Sequence, residues 1–278
     1  MIITKVINNN VVSSLDEQNS EIVVMGRGVG FGKAVEDEID ESLVEKIFLL
    51  TGQTTNQFKQ LVSSIPYEHI RVASEIISYA KRSLNKRLND NIYVSLTDHL
   101  SYAITRHKAG TKFKNALLWE IKRFYNHEFL IGKEALGIVK KRLNIELSED
   151  EAGFIALHIV NAELDTDMEQ SLAMTKMIQD ILSIVKYHYN IVLDEDSLAY
   201  ERFLTHLKFF LQRAISNQFY GTDDMDFCKM IQKQYKEAYE CVLKIKDYMY
   251  TKLEYEISEE ELTYLTIHIK RIISDYYN

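Results

Sequence analysis

Two stretches of the chain, 110 residues apart, are near-copies of each other. Ser148-Glu149-Asp150-Glu151-Ala152-Gly153-Phe154-Ile155-Ala156-Leu157-His158-Ile159 aligns without a gap on Ser258-Glu259-Glu260-Glu261-Leu262-Thr263-Tyr264-Leu265-Thr266-Ile267-His268-Ile269. Upstream, Leu96-Thr97-Asp98-His99-Leu100 matches Leu204-Thr205-His206-Leu207, with the histidines 107 apart. Such self-similarity restricts the fold to two related domains in tandem. Both copies open on Ser-x-x-Glu before an apolar run, which predicts helix starts closed by reciprocal capping boxes, Ser148 with Glu151 and Ser258 with Glu261. Elsewhere apolar residues recur at spacings of three and four, as in Ile70, Ala73, Ile77, Ala80 and Leu84 after Pro66, the only proline. Polar breaks near Asn89-Asp90, Ala109-Gly110, Leu147-Ser148 and Tyr220-Gly221 separate the helices. The expected architecture is multidomain, with two duplicated all-α helical bundles over residues 57–170 and 171–278.

Four histidines mark the repeat: His99 and His158 in the first copy, His206 and His268 in the second. Each interrupts an apolar helical stripe, as in Leu96-His99-Leu100-Ala103 and Leu265-His268-Ile269-Ile272. His188 fits a similar stripe, so recurrence is what discriminates. A single such histidine is more often a satisfied core imidazole; four at equivalent positions of a duplicated domain point to function. No histidine pair has helical ligand spacing and no cysteines cluster nearby, so no metal site and no cofactor is expected. Reversible phosphorylation fits better, because a neutral imidazole near pH 7 is a competent nucleophile toward a phosphoryl donor. Arg106 and Arg213, each seven residues past a repeat histidine, are placed to pair the added phosphate; ordinary solvated helix charge explains them equally well.

Residues 1–56 differ in texture. Five of the ten glycines fall between residues 26 and 52, four of them in Gly26-Arg27-Gly28-Val29-Gly30-Phe31-Gly32. Short β-branched runs at Ile2–Ile7, Val11–Leu15 and Ile22–Met25, separated by Asn8-Asn9-Asn10 and Asp16-Glu17-Gln18-Asn19-Ser20, predict a small antiparallel β-sheet. The glycine cluster fits neither a Walker loop, since Ala34 stands where Ser or Thr is needed, nor a dinucleotide fingerprint, since Phe31 occupies a required glycine position. Taken alone, a twisted glycine-rich hairpin without a ligand is as good an explanation as a binding loop. Arg27 offers a planar donor fork, Phe31 a stacking face and the Asn and Gly residues close backbone approach, a set suited to an irregular RNA loop. A domain of this size buries little surface alone, so face-to-face pairing of two sheets is expected.

The formal net charge of −8 argues against a generic nucleic-acid binder. Within residues 1–35, Lys5, Arg27 and Lys33 are balanced by Asp16, Glu17 and Glu21, so recognition would rest on shape, stacking and hydrogen bonds, with a shallow salt dependence. The acids Glu36, Asp37, Glu38, Asp40, Glu41 and Glu45 read as a solvated connector. No apolar run reaches membrane-spanning length and the N-terminus lacks signal-peptide features, so no membrane insertion is expected. With only Cys228 and Cys241, a reducing cytoplasm is the expected location.

Lys5-Val6-Ile7-Asn8-Asn9-Asn10-Val11 and Val24-Met25-Gly26-Arg27-Gly28-Val29-Gly30-Phe31 resemble the co-antiterminator RNA-binding domain of the BglG/SacY transcription antiterminators. By that resemblance Lys5, Asn8, Asn10, Gly26, Arg27 and Phe31 fall on RNA-contacting loops; Gly32 departs from the longer polar residue expected there. The stretches around His99, His158 and His206 resemble the two phosphotransferase regulation domains of the same family, and the four repeat histidines match its phosphorylation sites. The resemblance implies a regulator rather than an enzyme: a homodimer that binds a leader-mRNA stem-loop and prevents terminator formation. It further implies an inhibitory phosphate on the first regulatory domain from a sugar-specific permease, an activating one on the second from the phosphocarrier HPr, and a role in β-glucoside utilisation. A histidine phosphotransfer relay, revealed by turnover of donor, and a DNA-binding activator with the same regulatory domains are the other classes; residues 1–56 lack a recognition-helix pattern.

Overall fold

The computed structural model describes residues 1–49, 52–111, 113–217 and 225–277, with side chains to residue 274. The break expected at Tyr220-Gly221 lies outside the described residues. Four strands form one antiparallel sheet in sequence order: β1 (Ile3–Asn8), β2 (Val11–Leu15), β3 (Glu21–Met25) and β4 (Lys46–Phe48). The first three are the β-branched runs of the sequence. Asp16 turns β2 into β3, its carboxylate accepting the amides of Gln18 and Ser20, and Asn19 takes the left-handed backbone that asparagine tolerates. Strand β4 is only three residues long and follows the acidic run, so no alternation announced it.

Period-two alternation sends side chains to two faces, and both are covered. Ile3, Val12, Ile22 and Val24 pack under Val29 and Ile39 of the segment that follows β3. That acidic segment keeps most of its side chains in solvent, yet its backbone is strapped to the first residues of the chain: Ile3 donates to Asp37, Glu36 to Ile3 and Ile39 to Met1. The opposite face, Val11, Val23, Met25 and Phe48, packs against Phe58 and Val62 of helix α1 (Gly52–Ser64) and against Tyr93. Phe48, Phe58 and Tyr93 meet with centroids 4.7 to 6.5 Å apart.

The helices continue as α2 (Tyr67–Leu84), α3 (Ile92–Lys108), α4 (Leu118–Phe124), α5 (Asn126–Leu143) and α6 (Glu149–Leu164). The same succession returns as α7 (Met168–Tyr189), α8 (Leu198–Ile215), α9 (Met225–Gln234), α10 (Lys236–Leu253) and α11 (Glu259–Tyr277). Pro66 immediately precedes α2, as its sequence position implied. Asn85, Asn144, Asp165, Asn190 and Glu254 end helices in the left-handed conformation, an unusual role for Glu254. The chain forms two compact units, Met1–Thr166 and Asp167–Asn278. Within the first, the sheet and the helical repeat share a single core, from Val11 and Phe48 through Ile77 and Leu96 to Ile159.

The expected capping boxes do not form. Ser148 occupies the N-cap of α6 without a side-chain cap, its hydroxyl 3.4 Å from Asp150 instead. In the second copy Ser258 accepts the Glu261 amide at 3.2 Å, which is half of a box. Both glutamates turn away from their own helix starts to reach arginines on a neighbouring helix, because a charged guanidinium is a stronger partner than a neutral backbone amide. A complete box does close α7, between Asp167 and Gln170.

Candidate functional site

The glycine cluster and the Asn-rich turn form one surface. The Asn10 carbonyl accepts the Gly26 amide at 3.0 Å, its side-chain carbonyl accepts the Gly28 amide at 2.8 Å, and the Asn9 carbonyl accepts the Gly30 amide at 3.0 Å. Asn8 is used internally on both ends of its amide: Oδ1 accepts from the Asn10 backbone and Nδ2 donates to the Val62 carbonyl of α1. Glycine is required at 26 for packing, since a Cβ there would lie 1.8 Å from the Leu43 carbonyl oxygen, and Gly30 is similarly pressed on Asn8. Gly28 has φ of +78°, which favours glycine. What the locked loops present to solvent is Arg27 and Phe31, the latter 72% exposed; Lys5 is exposed on β1 opposite Ser13. Of the six residues singled out, Arg27, Phe31 and Lys5 are free to meet a ligand, Asn8 and Asn10 are half-buried braces, and Gly26 is buried.

The repeat histidines come together in pairs. Helix α3 brings His99 to His158 of α6 with ring centroids 4.9 Å apart, and α8 brings His206 to His268 of α11 at 4.3 Å. In each pair one ring is buried, His158 or His268, and the other is half-buried. Burial, with His99 alongside, drives the His158 imidazole down to about 3, and burial together with His206 and two arginines takes His268 to about 4. Burial and then Arg213 and Arg271 lower His206 as well. These three rings are neutral at pH 7 and keep a lone pair for attack on phosphorus. Among the described residues His188 has no such histidine partner; it packs edge-on against Tyr189.

An arginine and a glutamate complete each pair. Arg106 is bound to Oε1 of Glu151, both nearly buried, while Oε2 lies 3.1 Å from Nε2 of His99, off the direction a hydrogen bond needs. Burial pushes the Glu151 carboxyl up, but His99 and Arg106 outweigh it and hold the group below its usual range. Arg106 also lies over the rings of Tyr102 and Phe113. In the second copy Nε and Nη2 of Arg213 each stand 3.3 Å from Oε1 of Glu261, and Oε2 accepts the Tyr255 hydroxyl at 3.0 Å. His206 is clear of that carboxylate; the Tyr264 hydroxyl lies 3.3 Å from its Nδ1 and 3.4 Å from its Nε2. A cleft of about 440 Å³ opens there, lined by His206, Phe209, Arg213, Glu261 and Tyr264 among others. The arginines are thus ion-paired beside the histidines. In the sequence both glutamates have a local explanation as caps, which hides their part in the site, and Tyr255 lies at a position the two repeats do not share.

Among the described residues no cluster suited to a metal ion occurs, and no helix is long and apolar enough to cross a membrane. Residues 1–57 match the model of the CAT RNA binding domain, and residues 74–162 and 179–272 each match the PRD domain model. The transcription antiterminator LicT of Bacillus subtilis (strain 168) is 52% identical over 98% of this chain and 99% of its own. The β-glucoside operon antiterminator of Dickeya chrysanthemi is 45% identical over 99% and 98%. Among solved structures, the crystal structure of GlcT CAT-PRDI aligns with a TM-score of 0.52 at 35% identity, covering 58% of this chain and 97% of that one.

Proposed function

Given that the chain belongs to the BglG/LicT-type transcription antiterminators, which are RNA-binding regulators, we propose that it pairs with itself and clamps a leader-mRNA stem-loop whose folding excludes an overlapping terminator hairpin. Residues 1–56 carry the RNA-binding function, and residues 57–170 and 171–278 the control. The observation that carries the RNA reading is the rigid double loop from which Arg27 and Phe31 project, a cation and a stacking face held on a backbone that is already bonded. Lys5, Asn8, Asn10 and Gly26 shape or flank that surface. Pre-organisation of this kind lets a surface of low net charge bind tightly, since little freedom is lost on binding.

Control is by phosphate on the paired histidines, donated in the first regulatory domain by a sugar permease with inhibitory effect and in the second by HPr with activating effect. The lone pair of a ring nitrogen attacks phosphorus, the bond from phosphorus to the donor side chain breaks and its electron pair stays on the donor. The acceptor ring keeps the proton on its other nitrogen. The phosphoryl oxygens bring roughly −2, offset in part by that ring proton, between α3 and α6 or between α8 and α11, where Arg106 or Arg213 can receive them. The chain acts in the cytoplasm as a regulator, with β-glucoside utilisation as its setting.

The full chain is titrated with a leader stem-loop carrying asymmetric internal loops, against duplex DNA. Tight binding to the RNA alone is expected, weakened about tenfold or more by Phe31→Ala through the lost base stacking, and also reduced by Arg27→Ala. Equal affinity for duplex DNA, or no loss in either variant, would overturn the RNA reading. With phosphorylated HPr as donor, replacing His206 and His268 together by Ala should remove label from residues 171–278; undiminished labelling would overturn the assignment of those histidines.

A further inference from the structure

The two repeats hold equivalent carboxylates in different ways. Glu151 and Glu261 occupy the same position of α6 and α11, and each binds the arginine seven residues past a repeat histidine. Residue 145 is Ile in the first repeat; its equivalent in the second is Tyr255, 3% exposed, with its hydroxyl donating to Glu261 at 3.0 Å. Among the described residues no hydroxyl bonds Glu151, and its second oxygen faces His99, the ring beside which phosphate would arrive.

We infer that Glu151 and Glu261 occupy the phosphate-receiving face of Arg106 and Arg213, that histidine phosphate displaces them, and that Tyr255 is the positioning residue that makes this exchange favourable in the second repeat. The inference rests on the phosphorylation reading above and deepens it. A dianionic phosphate accepts from a guanidinium fork as well as a carboxylate does, and carries more charge. When Arg213 turns to it, Glu261 keeps one donor, the Tyr255 hydroxyl, and stays in place. When Arg106 turns to phosphate on His99, Glu151 loses both neighbours at once and is left nearly buried with no other side-chain partner among the described residues. The first repeat must then move its α6 terminus or take up a proton. Opposite responses of two like domains to the same modification follow from one side chain.

The test uses the full chain with potassium phosphoramidate as phosphoryl donor, which releases ammonia as the P–N bond to histidine forms and requires no docking partner. Site-resolved mass spectrometry reads phosphate occupancy at His206 and His268. Tyr255→Phe keeps the ring and its packing and removes only the hydroxyl; occupancy is expected to fall about tenfold, the worth of a hydrogen bond to a charged group. Glu261→Gln removes the charge that needs holding, so adding Tyr255→Phe to it should change occupancy little. Unchanged occupancy in Tyr255→Phe would overturn the inference, and so would an equal fall in both backgrounds, since that marks a packing role. Phosphorylated HPr as donor separates the two readings. No label in the wild-type chain, with the phosphoramidate series as expected, overturns the proposed donor while upholding the exchange.

Discussion

His158 and His268 sit where a charge is expensive, and their behaviour is set by burial before any other influence. For His158 the folded value of about 3 lies below the ordinary 6.5, so its contribution to stability is complete above pH 6.5 and is lost as pH falls toward 3. Between pH 7 and pH 5 the unfolded chain takes up a proton that the folded unit refuses, which costs about 2 kcal/mol. Urea denaturation of the full chain at the two pH values should show that loss in the transition of the first unit, and His158→Gln should remove most of it. An unchanged pH slope in the variant would show that the ring is not held neutral. The histidines were legible in the sequence because they recur, and recurrence survives any uncertainty about boundaries. The glutamates that bind the arginines beside them were visible but misread, since a polar residue three places into a helix has a local use that a single chain cannot distinguish from a distant one. Tyr255 was hidden for a different reason: it is what the two repeats do not share.

Helix against helix, the packing turns on two details, an ion pair and a glycine. Arg106 and Glu151 join α3 to α6 at 10% and 7% side-chain exposure, whereas Arg142 and Glu75 join α5 to α2 at 41% and 37%. Truncating one partner of the buried pair strands the other, so Glu151→Ala should destabilise the first unit by about 3 kcal/mol or more, whereas the exposed Glu75→Ala should change it far less. Comparable losses from both would mean that Arg106 finds water when its partner is gone. In α5 a Cβ on Gly132 would meet the Ala152 carbonyl oxygen at 2.2 Å, and one on Gly137 would meet nothing within 4 Å. Gly132→Ala should therefore cost roughly 1–3 kcal/mol by forcing α5 off α6, while Gly137→Ala should add up to about 1 kcal/mol through helix propensity. Helical periodicity exposed these elements in the sequence but not their closest approaches. Strand β4 escaped for want of length, its three residues being too few to show a period.

For the chain as a whole, the small sheet bears on how the molecule pairs. Face-to-face stacking of two sheets was the expectation from size, yet within the first unit Val11, Val23, Met25 and Phe48 are already covered by Phe58 and Val62 of α1, and the other face is closed by Val29 and Ile39. Helix α1 also fixes Asn8 through the Val62 carbonyl, so the same element that covers the sheet restrains one end of the loop pair at the proposed RNA surface. Cutting the chain after residue 56 removes Phe58 and Val62 together and leaves an apolar face, including Met25 and Phe48 that are each 2% exposed in the intact unit. A domain this small cannot leave such a face in water without association or loss of its fold. Fragment 1–56 is therefore expected to sediment as a dimer while keeping its β-sheet circular dichroism, and Phe48→Glu should disrupt that dimer or unfold it. With Asn8 released from the Val62 carbonyl, the fragment should bind the leader stem-loop more weakly than the full chain does. A folded monomeric fragment would show that α1 is dispensable as a cover, and a fragment that binds RNA as tightly as the intact chain would show that the loops hold their shape without the restraint on Asn8.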